Sequence, residues 1–474
     1  AENYGTIAHI IESPHEKGVL WTGSDDGLVH LTKDGGDTWE NVTPKGLKEC
    51  LVNAVEVSPH DPATAYIATT RYKFNDYTPA LYKTTDYGKS WTNISSGIPY
   101  GSFTRVVRED TSRKNLLYAG TEKGIYISWN GGGLWEPFQL NLPVTPITDL
   151  KVHQGDLIVA TSGRSFWILD DLGALAQYKT QNGDLKIMQP EAAYNGSWQS
   201  PLNGNSDNFD GTHPFSGVNP ANGVVLYYEL PKITDSTEIS LEILDEKGKL
   251  IRSLSSEKDL NYKKHNGGGP PPAPVLSKKE GLNRFVWDMG YPIIPGIPDV
   301  YIEANFRGHK VPPGTYTLKL QLGDKSVSTT VKIIEIPGFE TQQGQYADYD
   351  AFMTEMEQKV TQMHLMINKL FSAKTQLKGI INDLEDNVLK KAGMILYNKL
   401  NTWDEDMIQR KSQAYDDVEN FPNKFTAEYL FLIGETNSAI PRVNTSSRSR
   451  KSELDKEWEQ LKVRGNEFLD KELP

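Results

Sequence analysis

Residues 32–39 read TKDGGDTW and follow the apolar-rich run VLWTGSDDGLVHL at residues 19–31. Paired Asp and Gly residues in so short a stretch indicate a tight turn, because Gly adopts positive φ without strain and Asp accepts hydrogen bonds from nearby backbone N–H groups. A Trp directly after the turn predicts anchoring to an apolar core. This composition is compatible with a catalytic loop, a metal site or a structural turn.

The octet recurs, which decides between these interpretations. Residues 84–91 read TTDYGKSW and residues 128–135 read SWNGGGLW, so every copy has Ser or Thr, Asp or Asn, Gly and Trp at the same positions. Each copy lies near the end of a unit with four short strand-like runs, and the units have the length of propeller blades. A further unit at residues 147–178 keeps three strand signals and lacks the octet. The pattern predicts a partial β-propeller of about four Asp-box-type blades.

The octet is then a structural turn between the third and fourth strands of a blade. Its acid accepts backbone hydrogen bonds, its Gly supplies positive φ, its hydroxyl bonds back to the turn, and its Trp is expected to be buried between neighbouring sheets. The third copy, with Leu134 in place of the hydroxyl residue, is expected to be the weakest. Octets lack the ligand spacing of a calcium loop, and we predict no metal site and no cofactor. The residues assigned to the structural role are Asp34, Gly36, Thr38, Trp39, Asp86, Gly88, Ser90, Trp91, Asn130, Gly132 and Trp135.

The composition excludes several classes of function. The 474 residues contain 50 Lys and Arg against 62 Asp and Glu, a formal charge of −12, so nucleic acid is not an expected partner. No apolar run is long enough to predict a membrane span. Cys50 stands alone, which excludes an intrachain disulfide and a cysteine zinc site. The start AENYGTIAHI lacks the features of a signal peptide and suggests a mature or cleaved end, or a fragment.

The pattern of apolar and polar residues changes after the repeat units, which predicts a multidomain, mostly β protein. Residues 1–178 hold the blades, and residues 179–221, rich in Asn, Gly and Ser, are expected to be a linker packed on the propeller. Residues 222–337 alternate apolar and polar positions and predict an immunoglobulin- or fibronectin type III-like β-sandwich. Residues 345–474 have helical periodicity and predict a helical bundle. Its coiled-coil-like seam is Met356, Val360, Met363, Ile367, Leu370, Lys374, Leu377, Ile381 and Leu384.

The octets, together with LIVATSGRSFWILDDL at residues 157–172, GLNRFVWDM at 281–289 and PGTYTLKL at 313–320, resemble one bacterial family. It is the sortilin-like Asp-box (BNR) repeat propeller family, often labelled "glycosyl hydrolase" and typical of exported proteins of Bacteroidetes. The resemblance implies a periplasmic or outer-membrane surface location and a larger propeller, of which this chain is the C-terminal part. An upstream propeller half or a partner chain is expected to complete the ring, because an open ring exposes unpaired strand edges.

The ligand face of the propeller is expected opposite the octets, at the loops between second and third strands. The insertion RYKFNDYTPA at residues 71–80 stands out, because it places aromatic and charged residues where the other units have tight turns. Structural alternatives stay open here: the insertion can pack on the next blade, and Arg164 can be an ion-pair partner. The ligand-face candidates are Asp25, Asp26, Arg71, Tyr72, Asp76, Tyr77, Glu122 and Arg164.

Two classes of function follow from these features. The first is an exported binding or scaffold protein that takes a peptide, a glycan or a larger complex; the three modules and the missing catalytic signature favour it, and no catalytic residue is assigned. The alternative is a glycoside hydrolase, either sialidase-like or with two carboxylates on the propeller face. A sialidase needs three converging Arg residues and a Tyr–Glu pair. Arg71, Arg105 and Arg164 are available in the blades, but no such pair is evident.

Overall fold

A computed structural model describes residues 4–178, 183–204, 217–260, 262, 269–338 and 341–472. The chain divides into two compact units, Ala1–Thr180 and Gln181–Pro474. The fold is mostly β, with several separate sheets followed by a C-terminal helical region. The part of the predicted linker at residues 179–182 and 205–216 lies outside the described residues.

The first unit consists of successive antiparallel meanders. Three sheets have four strands each, in the order β1-β2-β3-β4, β5-β6-β7-β8 and β9-β10-β11-β12, and β13-β14-β15 follow as a three-stranded sheet before the short helix α1. The bounds are β1 Ile7–Glu12, β2 Leu20–Ser24, β3 Val29–Thr32, β4 Glu40–Asn41, β5 Leu51–Val57, β6 Ala65–Arg71, β7 Asp76–Thr84, β8 Thr92–Asn93, β9 Thr104–Glu109, β10 Leu117–Thr121, β11 Gly124–Ser128, β12 Glu136–Pro137, β13 Ile147–His153, β14 Asp156–Thr161, β15 Phe166–Leu169 and α1 Leu172–Gln177.

These sheets have a propeller-type arrangement. The first strands of consecutive sheets, β1, β5, β9 and β13, lie next to one another, as they do when blades surround a common axis. Strands β6 and β10 are buried along almost their whole length, because each is covered on both faces by neighbouring sheets. Large side chains fill the space between sheets, among them Trp21, Tyr66, Tyr118 and Trp135.

The octets form the turns β3–β4, β7–β8 and β11–β12, but burial of their Trp side chains is unequal. Trp91 and Trp135 donate their indole N–H groups to the carbonyls of Val42 and Ile94, residues that follow the last strand of the preceding sheet. The prediction that Trp39 is buried between sheets is wrong, because its side chain is 43% exposed and donates to Gly36 within its own turn. The described residues contain no preceding sheet for Trp39 to contact.

The second unit begins with two sheets that share one apolar core. Their strand orders are β16-β18-β21 and β17-β23-β22-β19-β20. From Tyr316 onward, strand β22 alternates between buried and partly exposed residues, as expected of a strand with one face on the core. Core residues from both sheets include Tyr228, Leu241, Phe285, Leu318 and Val331. The bounds are β16 Lys186–Ile187, β17 Ala193–Tyr194, β18 Val224–Leu230, β19 Ile239–Leu244, β20 Leu250–Ser255, β21 Gly281–Trp287, β22 Gly314–Leu322 and β23 Lys325–Ile334.

The predicted linker contributes to these sheets. Strand β16 pairs with β18, and β17 pairs in parallel with β23. The side-chain amide of Asn195 donates to the carbonyl of Val311 at 2.7 Å, and Lys310 donates to the carbonyl of Gly196. The described residues of 179–221 from β16 onward, expected to be a linker packed on the propeller, therefore pack on the strands of the second unit.

The predicted C-terminal helical region is confirmed. Helix α2 buries most of the predicted seam, and Asp386 caps α3 by accepting hydrogen bonds from two backbone N–H groups. Apolar residues between β21 and β22, such as Ile294 and Phe306, belong to the same core as the seam. The bounds are α2 Gln345–Asp383, α3 Asn387–Met407, α4 Asp417–Asn420, α5 Phe425–Asn437, α6 Thr445–Glu467 and a π-helical turn, Phe468–Glu472.

Candidate ligand-binding surface

The β6–β7 hairpin carries the insertion that stood out in the sequence. Arg71 and Asp76 are paired across the hairpin, with 3.0 Å between Arg71 Nε and Asp76 Oδ2. The chain reverses through one 3₁₀ turn and Asn75, which adopts left-handed backbone dihedrals. Residues 71–80 were predicted to be a loop; instead β6 ends at Arg71 and β7 begins at Asp76, so the insertion lengthens the hairpin.

An exposed group of aromatic side chains surrounds this hairpin. We define the aromatic surface as Tyr72, Phe74, Tyr77, Tyr100 and Phe103. Tyr72 stacks on Phe103 with ring centroids 5.5 Å apart, and Tyr77 lies 6.3 Å from Tyr100. Phe103 is buried, whereas the other four are at least 36% exposed and Tyr100 is 67% exposed. The surface therefore has a buried anchor and an accessible rim.

Two ion pairs border the aromatic surface. The Arg71 guanidinium lies 5.1 Å from the Phe74 ring centroid, and the Arg105 guanidinium lies 5.2 Å from that of Phe103. Arg105 also pairs with Glu122, with 2.6 Å between Nη2 and Oε2. The hydrogen bonds that the Asp76 carboxylate accepts from Thr78, together with the Arg71 charge, lower the pKa of Asp76. The surface thus combines aromatic faces with charges that are already compensated.

The structure brings only part of the predicted candidates to this surface. Arg71, Tyr72, Asp76, Tyr77 and Glu122 meet there.

The other three candidates make local contacts. Asp25 accepts hydrogen bonds from the backbone N–H groups of Gly5 and Thr6, at 2.9 and 2.8 Å. Asp26 accepts a hydrogen bond from the Ser24 hydroxyl. Arg164 is exposed and contributes its backbone carbonyl to the indole N–H of Trp167.

Sequence reasoning did not place Tyr100, Phe103 or Arg105 on the ligand face, and considered Arg105 only as a possible sialidase arginine. They lie in the stretch IPYGSFTR at residues 98–105, which leads into the first strand of the third sheet rather than joining a second strand to a third. Two aromatic residues around a Gly-Ser pair were the available signal. The ligand face is expected at the loops between second and third strands, and this stretch, which precedes a first strand, lies outside them.

A second cluster that the sequence did not reveal lies on the first strands. Glu56 on β5 is 3.4 Å from Arg108 on β9, measured from Oε2 to Nη1, and Arg108 Nη2 is 2.8 Å from Asp149 Oδ1 on β13. Burial raises the pKa of Glu56 to about 7, although the Arg108 charge acts in the opposite direction. Strand-to-strand distances of this kind depend on how sheets pack, and local sequence patterns do not encode them.

The octet carboxylates have different surroundings. Asp34 and Asp86 each accept hydrogen bonds from the backbone N–H and the hydroxyl of the residue four positions later, Thr38 and Ser90. These hydrogen bonds hold the pKa of both carboxyls down, that of Asp86 to about 2. Asn130 accepts the equivalent hydrogen bond from the backbone N–H of Leu134. Fully engaged carboxylates of this kind are poor proton donors.

Comparison with known proteins gives the following results. No protein-family model matches the chain, and no curated protein matches it. Among solved structures, YCF48 bound to D1 peptide is 19% identical over 35% of this chain and 52% of that one, with a TM-score of 0.29. The GH74 xyloglucanase from Xanthomonas campestris is 12% identical over 47% of this chain and 35% of that one, with a TM-score of 0.30.

The GH74 enzyme of Niastella koreensis is 14% identical over 71% of this chain and 55% of that one, with a TM-score of 0.30. The match to the peptide-bound YCF48 structure covers 52% of that structure, so this chain spans about half of its length. The propeller-type arrangement follows from strand order and strand adjacency.

The described residues contain no group of three or more His, Cys, Asp and Glu side chains placed to hold a metal ion. Within the same part of the chain, no helix combines the length and the apolar character needed to cross a bilayer.

Proposed function

We propose that the chain is a binding protein that takes a protein ligand on the aromatic surface. The observation that carries the proposal is the exposed aromatic rim around Phe103, bordered by Arg71 and Arg105. Tyr and Arg side chains dominate the binding energy of protein interfaces, because they bury large areas while retaining polar groups. Glycans also stack on aromatic rings, so glycan binding is the other outcome to be distinguished.

The carboxylates near this surface favour binding over hydrolysis. Glycoside hydrolysis needs a carboxylic acid with a raised pKa beside an ionised partner. Asp76 has a lowered pKa and is paired with Arg71, and Glu122 is paired with Arg105. Both carboxylates that border the aromatic rim are therefore engaged in ion pairs with arginine.

The proposal is tested with peptide and glycan arrays probed by the full chain, followed by the variants Tyr72→Ser and Tyr100→Ser. We expect each variant to weaken binding of the captured ligand about tenfold, which corresponds to roughly 1.4 kcal/mol. Tyr415→Ser is the matched control, because Tyr415 is 62% exposed in the second unit. Equal affinity of wild type and both surface variants would refute the assignment, and capture of glycans alone would replace the protein ligand by a carbohydrate.

One observation supports a glycoside hydrolase as the second candidate. Glu56 has a pKa of about 7, and Asp149, 63% exposed at its side chain, shares Arg108 with it. A carboxylic acid with a raised pKa beside a second carboxylate is the kind of pair that such hydrolysis uses. Release of reducing sugar from a polysaccharide panel, lost in Glu56→Gln but kept in Glu122→Gln, would establish this activity; no release from any substrate would exclude it for that panel.

Location and assembly belong to the same proposal. We propose an exported protein of the periplasm or outer-membrane surface, related to the sortilin-like Asp-box propellers, with an immunoglobulin-like second module. Exposed apolar residues on the outer sheets of the first unit support a partner chain or further blades: Ile7 and Ile10 on β1, and Phe166 and Ile168 on β15. In a complete propeller, such faces are covered by neighbouring sheets.

A further inference from the structure

The second unit contains a cavity of about 1170 Å³ that no part of the proposed function uses. Its walls come from the segment after β17, from β20 and β21, from the segment before β22 and from α2 and α5. This volume is slightly above the usual range for ligand sites, about 300–1,000 Å³, and far exceeds that of a simple inorganic anion. The cavity therefore has room for an extended organic ligand.

Basic side chains outnumber acidic ones in this cavity. Among the described residues that line it, Arg252, Arg307 and Lys310 are basic and Asp288 is acidic. Arg252 Nη1 is 2.7 Å from Asp288 Oδ1, whereas Arg307 Nη1 is 3.9 Å from Asp288 Oδ2. One carboxylate thus faces three cations, in a chain whose formal charge is −12. We call this site the basic cavity.

The three cations differ in what they can offer to a ligand. Arg252 is buried and held by Asp288 and the carbonyl of Gly290. Lys310 donates to the side-chain oxygen of Asn222 at 3.0 Å, and burial lowers the pKa of its amine to about 8. Arg307 is 60% exposed at its side chain and its longer contact with Asp288 leaves most of its donors toward solvent. An anion entering the cavity would meet Arg307 first and would offset the desolvation of Lys310.

The remaining lining indicates the kind of anion. Trp198 and Tyr346 supply partly exposed aromatic rings, and six amide side chains line the cavity: Asn195, Gln199, Asn203, Asn222, Asn305 and Asn437. Amides both donate and accept hydrogen bonds, as sugar hydroxyls do, and aromatic rings pack against the apolar faces of sugars. We propose that the basic cavity binds an oligosaccharide bearing a carboxylate, a uronic acid type of glycan, with Arg307 and Lys310 as its anion contacts.

The test is isothermal titration of the full chain with tetragalacturonic acid. Neutral galactotetraose and a short polyglutamate peptide are the matched probes, the first without charge and the second without sugar. We expect the uronic acid ligand to bind at least about tenfold more tightly than either. Equal binding of the neutral sugar would show that the cations do not contribute to binding. Tighter binding of polyglutamate would instead assign the cavity to acidic peptides. No binding of tetragalacturonic acid would refute the proposal.

Variants localise the site and separate it from the aromatic surface. Arg307→Ala is expected to weaken uronic acid binding about tenfold, since it removes an exposed cation without opening the core. Lys332→Ala removes an exposed cation of β23 outside the cavity lining and should leave binding unchanged. Tyr100→Ser should also leave it unchanged. Unaltered binding by Arg307→Ala, or a loss caused by Tyr100→Ser, would contradict the assignment.

Discussion

At the scale of single residues, the Trp side chains of the octets show that copies of one motif can differ in burial and therefore in their contribution to stability. Trp135 is 2% exposed and Trp39 is 43% exposed, although both follow the same kind of turn. The difference arises from the preceding sheet, which supplies the carbonyl of Ile94 to Trp135 and is missing for Trp39 in the described residues. The octet therefore determines the turn, whereas the preceding sheet determines how deeply the Trp side chain is buried.

A stability comparison follows from this difference. We expect Trp135→Ala to lower the free energy of unfolding by roughly 3–5 kcal/mol, because it leaves a cavity between two sheets. Trp39→Ala is expected to cost less than about 1 kcal/mol, as for other exposed positions. Urea denaturation of both variants against wild type measures the two values. Equal losses would show that the turn itself, rather than the contact between sheets, determines the contribution of the Trp.

At the scale of elements, the helical region shows what a sequence pattern can and cannot provide. Helix α3 lies within the stretch that its period predicts to be helical, and the capping residue Asp386 marks its N-terminus in the sequence. Lys374 occupies an apolar position of the seam, and its partner Asp404, 2.9 Å away, lies on another helix. Strands β16 and β17 are two residues each, too short to produce a period.

The candidate sites also combine features that are visible in the local sequence with features that depend on packing. The insertion at residues 71–80 was visible in the sequence because its composition is local. Phe103, which anchors the aromatic surface, and the cations of the basic cavity were not, because they come together only through packing of separate elements. Local chemistry is therefore predictable here, whereas contacts between elements are not.

The contact of α2 with the segment before β22 depends on a buried histidine. His309 Nε2 is 3.1 Å from Asp350 Oδ1, and His309 Nδ1 is 3.0 Å from Glu357 Oε2, with Tyr291 stacked on the ring. Burial lowers the pKa of His309, but the hydrogen bond to Asp350 and the close Glu357 carboxylate outweigh it, and the net direction is upward. A raised pKa means that the stabilising contribution is complete below the unfolded value of about 6.5 and is lost as pH rises through the folded value.

We therefore expect the first turns of α2 to exchange amide hydrogen faster at alkaline pH, after correction for the intrinsic rate. Mass spectrometry at about pH 6 and pH 9 measures this change. His364 provides the internal control, because burial lowers its pKa to about 4 and it stays neutral at both values. Corrected rates in the first turns of α2 that do not change between the two conditions, or that change equally around His364, would contradict a role for His309 protonation.

At the scale of the whole molecule, the sheets of the first unit differ in how much apolar surface they leave to solvent. The first strand of the second sheet, β5, has no exposed residue, whereas β1 exposes Ile7 and Ile10. At the other end of the series, β15 exposes Phe166 and Ile168 on alternate positions of one face. Exposed apolar sheet faces are association sites, since burying them removes apolar area from water.

Self-association of the isolated chain tests this interpretation. We expect wild type to exceed the monomer mass in size-exclusion chromatography with light scattering as concentration rises, and the double variant Ile10→Lys/Ile168→Lys to remain monomeric. Val388→Lys is the matched control, because Val388 is an exposed apolar residue of α3 in the second unit. A charge on each outer sheet disfavours contact of either face with another sheet, since burying an unpaired ammonium group costs several kcal/mol. A wild type that stays monomeric at every concentration, or an equal loss of self-association in Val388→Lys, would show that these sheet faces do not mediate association.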